Sequence, residues 1–517
     1  MLPKQGKYMS GSTGGLRSPL FIITLFVVIK LLVHLVTNTN YGFHRDELLY
    51  LAVSERLSVF RNEFPPLIAI LGYFKLLISS ESLFVVRLLP ALAGGAIVLI
   101  SGLMVREIGG GRFAQLLTGI TIFFAPLYLR SSTLFQPVIF EQLLWTVSCY
   151  LVILIINRNN SHVWYVLGVV LGFGLLNKFT ILIFGFALFI GLLLTSQRHW
   201  LYRKEPWLAG LIALIIGIPG IIGQIVNDFP LFTHIEHISE TQFVHVGVLD
   251  FLVGQIVMLS PLSFPVWIGG LYYFLIHGTR YRLFGFCYLA ALMSFLIIGG
   301  KEYYLGPIYP VLIAGGAVFI ETLLGAGKRT IIKSTVLSLL VLSGLYLLPI
   351  GIPLISPEKL EKYIQYVGLE EATKNNRGEY ERIPQDFADM FGWENQVKEV
   401  AGIYNTLTEE ERAKSVILAG NYGRAGAIDL FGEKYGLPKA VSYVSSYHSW
   451  GPGTTSGEIA IAVGVSLSIL ENLYENIELK SSVSHAFAVQ HEQDVPVYLC
   501  RDPKVKLRSI WEDLKRP

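Results

Sequence analysis

Four ionisable residues in a row, His44-Arg45-Asp46-Glu47, stand a few residues after an apolar run from Leu20 to Val36. A carboxylate there can take a proton from an attacking hydroxyl or amine within hydrogen-bond reach. On a helix, adjacent Asp46 and Glu47 diverge by about 100°, so they do different jobs rather than form a dyad. The plainer reading is a solvated start to a loop that anchors the preceding helix at the lipid head groups. A membrane-surface base would act on a lipid whose head group lies at that depth. Anionic head groups and phosphate leaving groups need cations to neutralise them. Arg45, Arg61, Lys75, Arg87, Arg130, Lys178 and Lys301 are the candidates. Lys178 sits between two apolar runs, where charge is costly unless it is paired, functional or snorkelling. Lys301 opens KEYYLGPIYP, in which Tyr303, Tyr304 and Tyr309 offer aromatic surface at head-group level. Glu141 lies inside an apolar run, which makes it a functional candidate or half of an ion pair with Arg130 or Lys178.

Other clusters carry less. His234 and His237 have i, i+3 spacing with His245 nearby, but no carboxylate pattern completes a metal set, and they read as incidental loop histidines. Gly420-Asn-Tyr-Gly423-Arg-Ala-Gly426 follows a strand and opens a helix. It reads as a glycine turn, with a phosphate cradle as the alternative; its spacing is not the dinucleotide fingerprint. Cys149, Cys287 and Cys500 form no metal-type pair.

The elements that must position these groups follow from composition. The 517 residues are 52% hydrophobic and 15% charged, with mean hydropathy +0.53. A soluble domain carries about 25% charged residues. The deficit excludes a disordered chain and a typical cytosolic enzyme. A net charge of +3 gives no reason to expect a nucleic-acid partner. Apolar runs at 20–36, 83–105, 113–129, 138–156, 163–176, 178–195, 207–226, 251–276, 283–299, 304–324 and 331–350 predict about eleven spans. Lys30 and His34 interrupt the first and read as snorkelling or packed against other helices. Lys and Arg gather in alternate short loops, which predicts a cytoplasmic N-terminus and an extracytoplasmic C-terminal part. The stretches 48–59 and 67–78 read as amphipathic helices lying at the interface. Residues 1–350 then form a polytopic membrane domain, and 351–517 a soluble α/β domain with strands at 415–420, 458–465 and 495–500.

FHRDELLYLA (43–52), FPPL (64–67), RLLPALAGG (87–95), GLLNKFT (174–180) and KEYYLGPIYP (301–310) resemble the integral-membrane glycosyltransferases of the GT-C fold. QDFADMFGWE (385–394), AGNYGRAGAIDLFGEKYGLP (419–438) and SYHSWGP (446–452) resemble the same proteins' tails. The nearest group is family 39, the dolichyl-phosphate-mannose–protein mannosyltransferase-like proteins, with the aminoarabinose lipid A transferase and rhizobial galacturonosyl transferases as relatives. The resemblance implies a mainly α polytopic bundle in the cell (inner) membrane. It implies a polyprenyl-phosphate-sugar donor and transfer to an extracytoplasmic glycolipid, glycan or protein hydroxyl. Asp46 would be the catalytic base or position the acceptor, and Glu47 would bind near donor or acceptor. Lys178 and Lys301, with Arg45, Arg87 and Tyr304 around them, would meet the lipid phosphate; His44 and Glu141 are further candidates. If a divalent ion takes part, Asp46, Glu47 and Glu141 are the hard-oxygen ligands available. The alternative from another class is a polytopic transporter or flippase, which places its ionisable residues near the midplane instead.

Overall fold

Backbone N–H and C=O groups find no partner in lipid, so long apolar runs that cross it must be helices. The computed structural model describes residues 19–60, 63–76, 78, 82–241, 247–325 and 329–515, and it is helical up to Gly351. The helices are α1 (Pro19–Thr37), α2 (Arg45–Glu55), α3 (Leu67–Leu76), α4 (Leu83–Ile108), α5 (Arg112–Phe124), α6 (Pro126–Ser131), α7 (Pro137–Arg158) and α8 (Val163–Asn177). They continue with α9 (Ile181–Leu193), α10 (Lys204–Val226), α11 (Pro230–Thr241), α12 (Val248–Val257), α13 (Phe264–Tyr272), α14 (Leu283–Ile298), α15 (Tyr309–Leu324) and α16 (Thr330–Gly351).

The runs expected as about eleven spans form apolar helices of mixed length. Among the described residues, five helices are long and apolar enough to cross a membrane, or up to seven if each of two bent pairs is one span. Four shorter apolar helices lie among them. The chain is a multi-pass membrane protein. The run read as 113–129 breaks at Ala125, held extended before Pro126, because the ring of proline clashes with a helical predecessor. The run 251–276 bends by 86° between α12 and the segment Pro261–His277, where Ser260 has φ 75° ahead of Pro261. Lys30 does not snorkel. It is fully buried in α1 and donates to the Tyr128 carbonyl at 3.1 Å.

The stretch read as a surface amphipathic helix at 48–59 also needs correction. In α2, Leu48, Leu49, Leu51, Ala52 and Val53 are buried. The helix packs between α3 and α21 of the sheet domain, so its apolar residues face protein. In α3, Ile68 and Ala69 are fully buried while Phe74 is exposed.

After α16 come α17 (Pro357–Val367), α18 (Gln385–Ala388), α19 (Trp393–Thr406), α20 (Glu409–Lys414) and α21 (Tyr422–Phe431). They surround a five-stranded sheet of β1 (Ser415–Ala419), β2 (Val441–Ser442), β3 (Ile459–Val463), β4 (Tyr474–Val483) and β5 (Val495–Pro503), in the order β2-β1-β3-β5-β4. Strands β2, β1 and β3 run parallel, and β5 pairs antiparallel with β3 and β4. Strands β1, β3 and β5 stand where 415–420, 458–465 and 495–500 are expected, β1 and β3 fully buried. β4 is largely exposed and polar, and carries no continuous apolar run.

Candidate active site

His44 caps α2. Its Nδ1 accepts from the Asp46 N–H at 3.1 Å, and its own N–H donates to Glu47 Oε2 at 2.9 Å. This reciprocal cap fixes the start of the helix and puts Asp46 in its first turn, where the free N–H groups favour an anion. Asp46 keeps about 30% of its side chain exposed. Its Oδ2 accepts from Gln136 Nε2 at 3.1 Å, and its Oδ1 accepts from the Tyr422 hydroxyl at 3.0 Å.

Glu47 points the other way, as helical geometry requires. It and Arg87 are both 0% exposed. Arg87 donates to both carboxylate oxygens, from Nε at 3.0 Å and from a terminal nitrogen at 2.9 Å. The Phe135 and His44 N–H groups take the remaining acceptor positions of Glu47. Burial alone would raise the Glu47 pKa, but the Arg87 charge and these hydrogen bonds bring it below its ordinary value. The other Arg87 donors go to the Asn38 and Gly42 carbonyls. Glu47 as a donor or acceptor ligand and Arg87 as a phosphate ligand are therefore corrected. Every polar atom of the pair is spent inside the protein, and the pair ties α2 to α4.

Arg45 is likewise turned toward the sheet domain. It donates to His491 Nε2 at 3.0 Å and lies 3.7 Å from the buried Asp389 carboxylate. Burial pushes the Asp389 carboxyl pKa up, against the pull of Arg45 and His44. Burial, with help from Arg45, lowers the His491 pKa to about 4. Neutral His491 can therefore accept from Arg45. Arg45 Nε stands 4.0 Å from Asp46 Oδ1. Arg130 pairs with Asp386 at 3.2 Å. Arg61 and the side chains of Lys75, His234, His237 and His245 lie outside the described residues.

Lys178, Glu141, Lys301 and Tyr304 form the second half of the site. Glu141 is 3% exposed, accepts from the Thr180 hydroxyl and lies 3.1 Å from Lys178 Nζ. Lys178 also sits 4.2 Å from the centroid of the Tyr304 ring, a cation–π position. Lys301 has no carboxylate within ion-pair distance among the described residues. Burial lowers its pKa, while the charge of nearby Asp46 acts to raise it. Between α9 and α14 lies a wide-open apolar hollow of about 350 Å³, lined by Leu182, Ile183, Phe186, Ser294, Ile297 and Ile298. Lys178 stands one turn before Leu182, and Lys301 just past Ile298. Lys178 is near enough to Lys301 to act on its charge, as Asp46 is, so the two ammonium groups and the Asp46 carboxylate share one region.

The carboxylates do not fit a shared metal ion. Among the described residues no three His, Cys, Asp or Glu side chains converge. Asp46 is held by Gln136 and Tyr422, Glu47 by Arg87, and Glu141 by Lys178 and Thr180.

Gln136, Tyr422, Asp389 and His491 escaped the reading of the sequence. For Tyr422 a signal existed in the glycines that follow it. A Cβ on Gly423 would lie 2.6 Å from Arg45 Cγ, and one on Gly426 would lie 2.8 Å from Leu48 Cβ. The glycines serve helix-to-helix approach. Asn421 caps α21, and Arg424 fills the turn by pairing with Glu492 at 3.0 Å, which leaves a phosphate cradle no room.

Two kinds of comparison bear on this arrangement. The sequence pattern of the family described as dolichyl-phosphate-mannose-protein mannosyltransferase matches residues 63–222. That stretch holds Arg87, Glu141 and Lys178 and starts beyond Asp46. No curated protein matches the chain. The structure of ArnT from Cupriavidus metallidurans bound to undecaprenyl phosphate superposes with a TM-score of 0.60 at 14% identity, over 96% of this chain and 99% of that one. The apo form of the same protein gives 0.58 at 14% identity, with the same coverage. Over 96% of its length the chain has the fold of that ArnT structure.

Proposed function

We propose that this protein is a membrane glycosyltransferase that moves a sugar from a polyprenyl-phosphate donor to a hydroxyl of an envelope glycolipid, glycan or protein. The observation that carries the reading is the grouping of Lys178 and Lys301 beside Asp46, near enough for both Lys178 and Asp46 to act on the Lys301 charge, with an open apolar hollow between α9 and α14. An apolar hollow suits the first isoprene units of a lipid, and paired ammonium groups suit its phosphate. The ArnT structure with bound undecaprenyl phosphate has the same fold, which supports this donor class.

The reaction is a displacement with inversion at the anomeric carbon. Asp46 takes the proton of the acceptor hydroxyl as its oxygen attacks C1. The bond from C1 to the phosphate oxygen breaks, and its electron pair leaves with the polyprenyl phosphate. The leaving group gains one negative charge, which Lys178 and Lys301 stabilise as it develops. Glu141 keeps Lys178 oriented beside the Tyr304 ring. Sugar transfer takes place on the side of the membrane that bears the sheet domain, which orients the N-terminus to the cytoplasm.

The test uses purified protein in lipid, a panel of radiolabelled polyprenyl-phosphate sugars and an envelope extract as acceptor. Transfer falls by roughly 10²-fold or more in Asp46→Asn, the loss expected for a general base. Lipid-linked sugar that crosses the liposome membrane with no covalent transfer would instead make the protein a flippase.

A further inference from the structure

Asp46 is held by two side chains from distant parts of the chain, and one of them belongs to the sheet domain. The Tyr422 hydroxyl donates to Asp46 Oδ1 at 3.0 Å, across 376 positions of sequence. Three features bring it there. Asn421 caps α21 and so fixes the helix start that carries Tyr422. Gly423 and Gly426 let α21 lie directly on α2. Arg45 lies 5.7 Å from the Tyr422 ring centroid and is tied to His491 and Asp389 of the same domain. Burial pushes the Tyr422 phenol above its ordinary pKa, so it stays a neutral donor.

An ionised carboxylate offers about four lone-pair positions. Gln136 uses one on Oδ2 and Tyr422 one on Oδ1. One position on each oxygen is left for an incoming hydroxyl. The two donors come from the start of α7 and from the sheet domain, one to each oxygen, and together they restrain the carboxylate's rotation. From this we infer that Tyr422 is a positioning residue for Asp46, and that the sheet domain completes the active site instead of serving as an accessory tail. The inference rests on the reading of Asp46 as the base.

Tyr422→Phe keeps the ring and removes only the donor. A hydrogen bond to a charged group is worth roughly a factor of 10 to 100. Transfer in the assay above should fall about tenfold in kcat with the donor KM unchanged. A 3-fluorotyrosine at position 422 keeps both the ring and the donor, and should keep kcat near the parent value where Tyr422→Phe loses it. Unchanged kcat in Tyr422→Phe, or a loss that falls on KM and not on kcat, overturns the inference. Full transfer by Asp46→Asn is a different result: it removes the base itself, whatever Tyr422→Phe shows.

Discussion

Glu47 and Arg87 face each other at 2.9 Å with no exposed surface on either side chain. The pair holds α2 against α4 and leaves the neighbouring Asp46 as the open carboxylate of the helix. Breaking a buried ion pair from one side strands the other charge and costs about 3–5 kcal/mol. Arg87→Met and Glu47→Leu should each lower the thermal unfolding midpoint in detergent sharply. The double variant should be less damaged than either single one, because no charge is left unpaired. Equal damage in all three would mean that the pair does not hold the helix.

The hollow between α9 and α14 should read the length of the lipid. Leu182→Trp or Ile297→Trp would fill it. Affinity for an undecaprenyl phosphate should then fall about tenfold or more. A two-isoprene phosphate, held mainly through Lys178 and Lys301, should bind nearly unchanged. Binding by calorimetry or native mass spectrometry checks this, and equal losses for both chain lengths would place the lipid elsewhere.

Lys301 should give phosphate binding an alkaline limit. Burial lowers its pKa, so the ammonium is lost at a lower pH than that of an ordinary lysine. Polyprenyl phosphate affinity should decline as pH rises through that lowered value. In Lys301→Arg the decline should disappear, since guanidinium stays charged. An identical pH profile in the variant would remove Lys301 from the phosphate site.

His491 ties the stability of the interface to pH. Its pKa is about 4 in the folded protein, against an ordinary value of 6.5. Between these values the unfolded chain binds a proton that the folded one refuses, so stability falls as pH drops through that window. Asp389 works in the opposite sense, because burial raises its carboxyl pKa. His491→Gln keeps an acceptor for Arg45 and removes only the imidazole titration. Its unfolding midpoint should fall less than that of the parent between pH 6.5 and 4. Parallel curves would show that His491 does not titrate in this way.

Local pattern was enough for much of this molecule. An apolar run in lipid has only one way to satisfy its backbone, so α4, α7, α8, α10, α14 and α16 stand within a few residues of where the sequence places them. The buried strands β1 and β3 were legible for a related reason, since both of their faces are apolar. Asp46, Lys178 and Lys301 stood out because charge near a bilayer is costly, and that cost is written in residue type alone. What each charge touches was not legible. Glu47 and Arg87 looked as available as Asp46 until the fold folded them inward, since adjacent positions on one helix face different neighbours. Tyr422 reaches Asp46 only because two glycines let a distant helix lie against α2, and a hydrogen bond across 376 positions leaves no trace in local sequence. Residue type thus determined which groups could do chemistry, and tertiary packing decided which of them are left free to do it, because burial and pairing are properties of neighbours that the chain brings together only on folding.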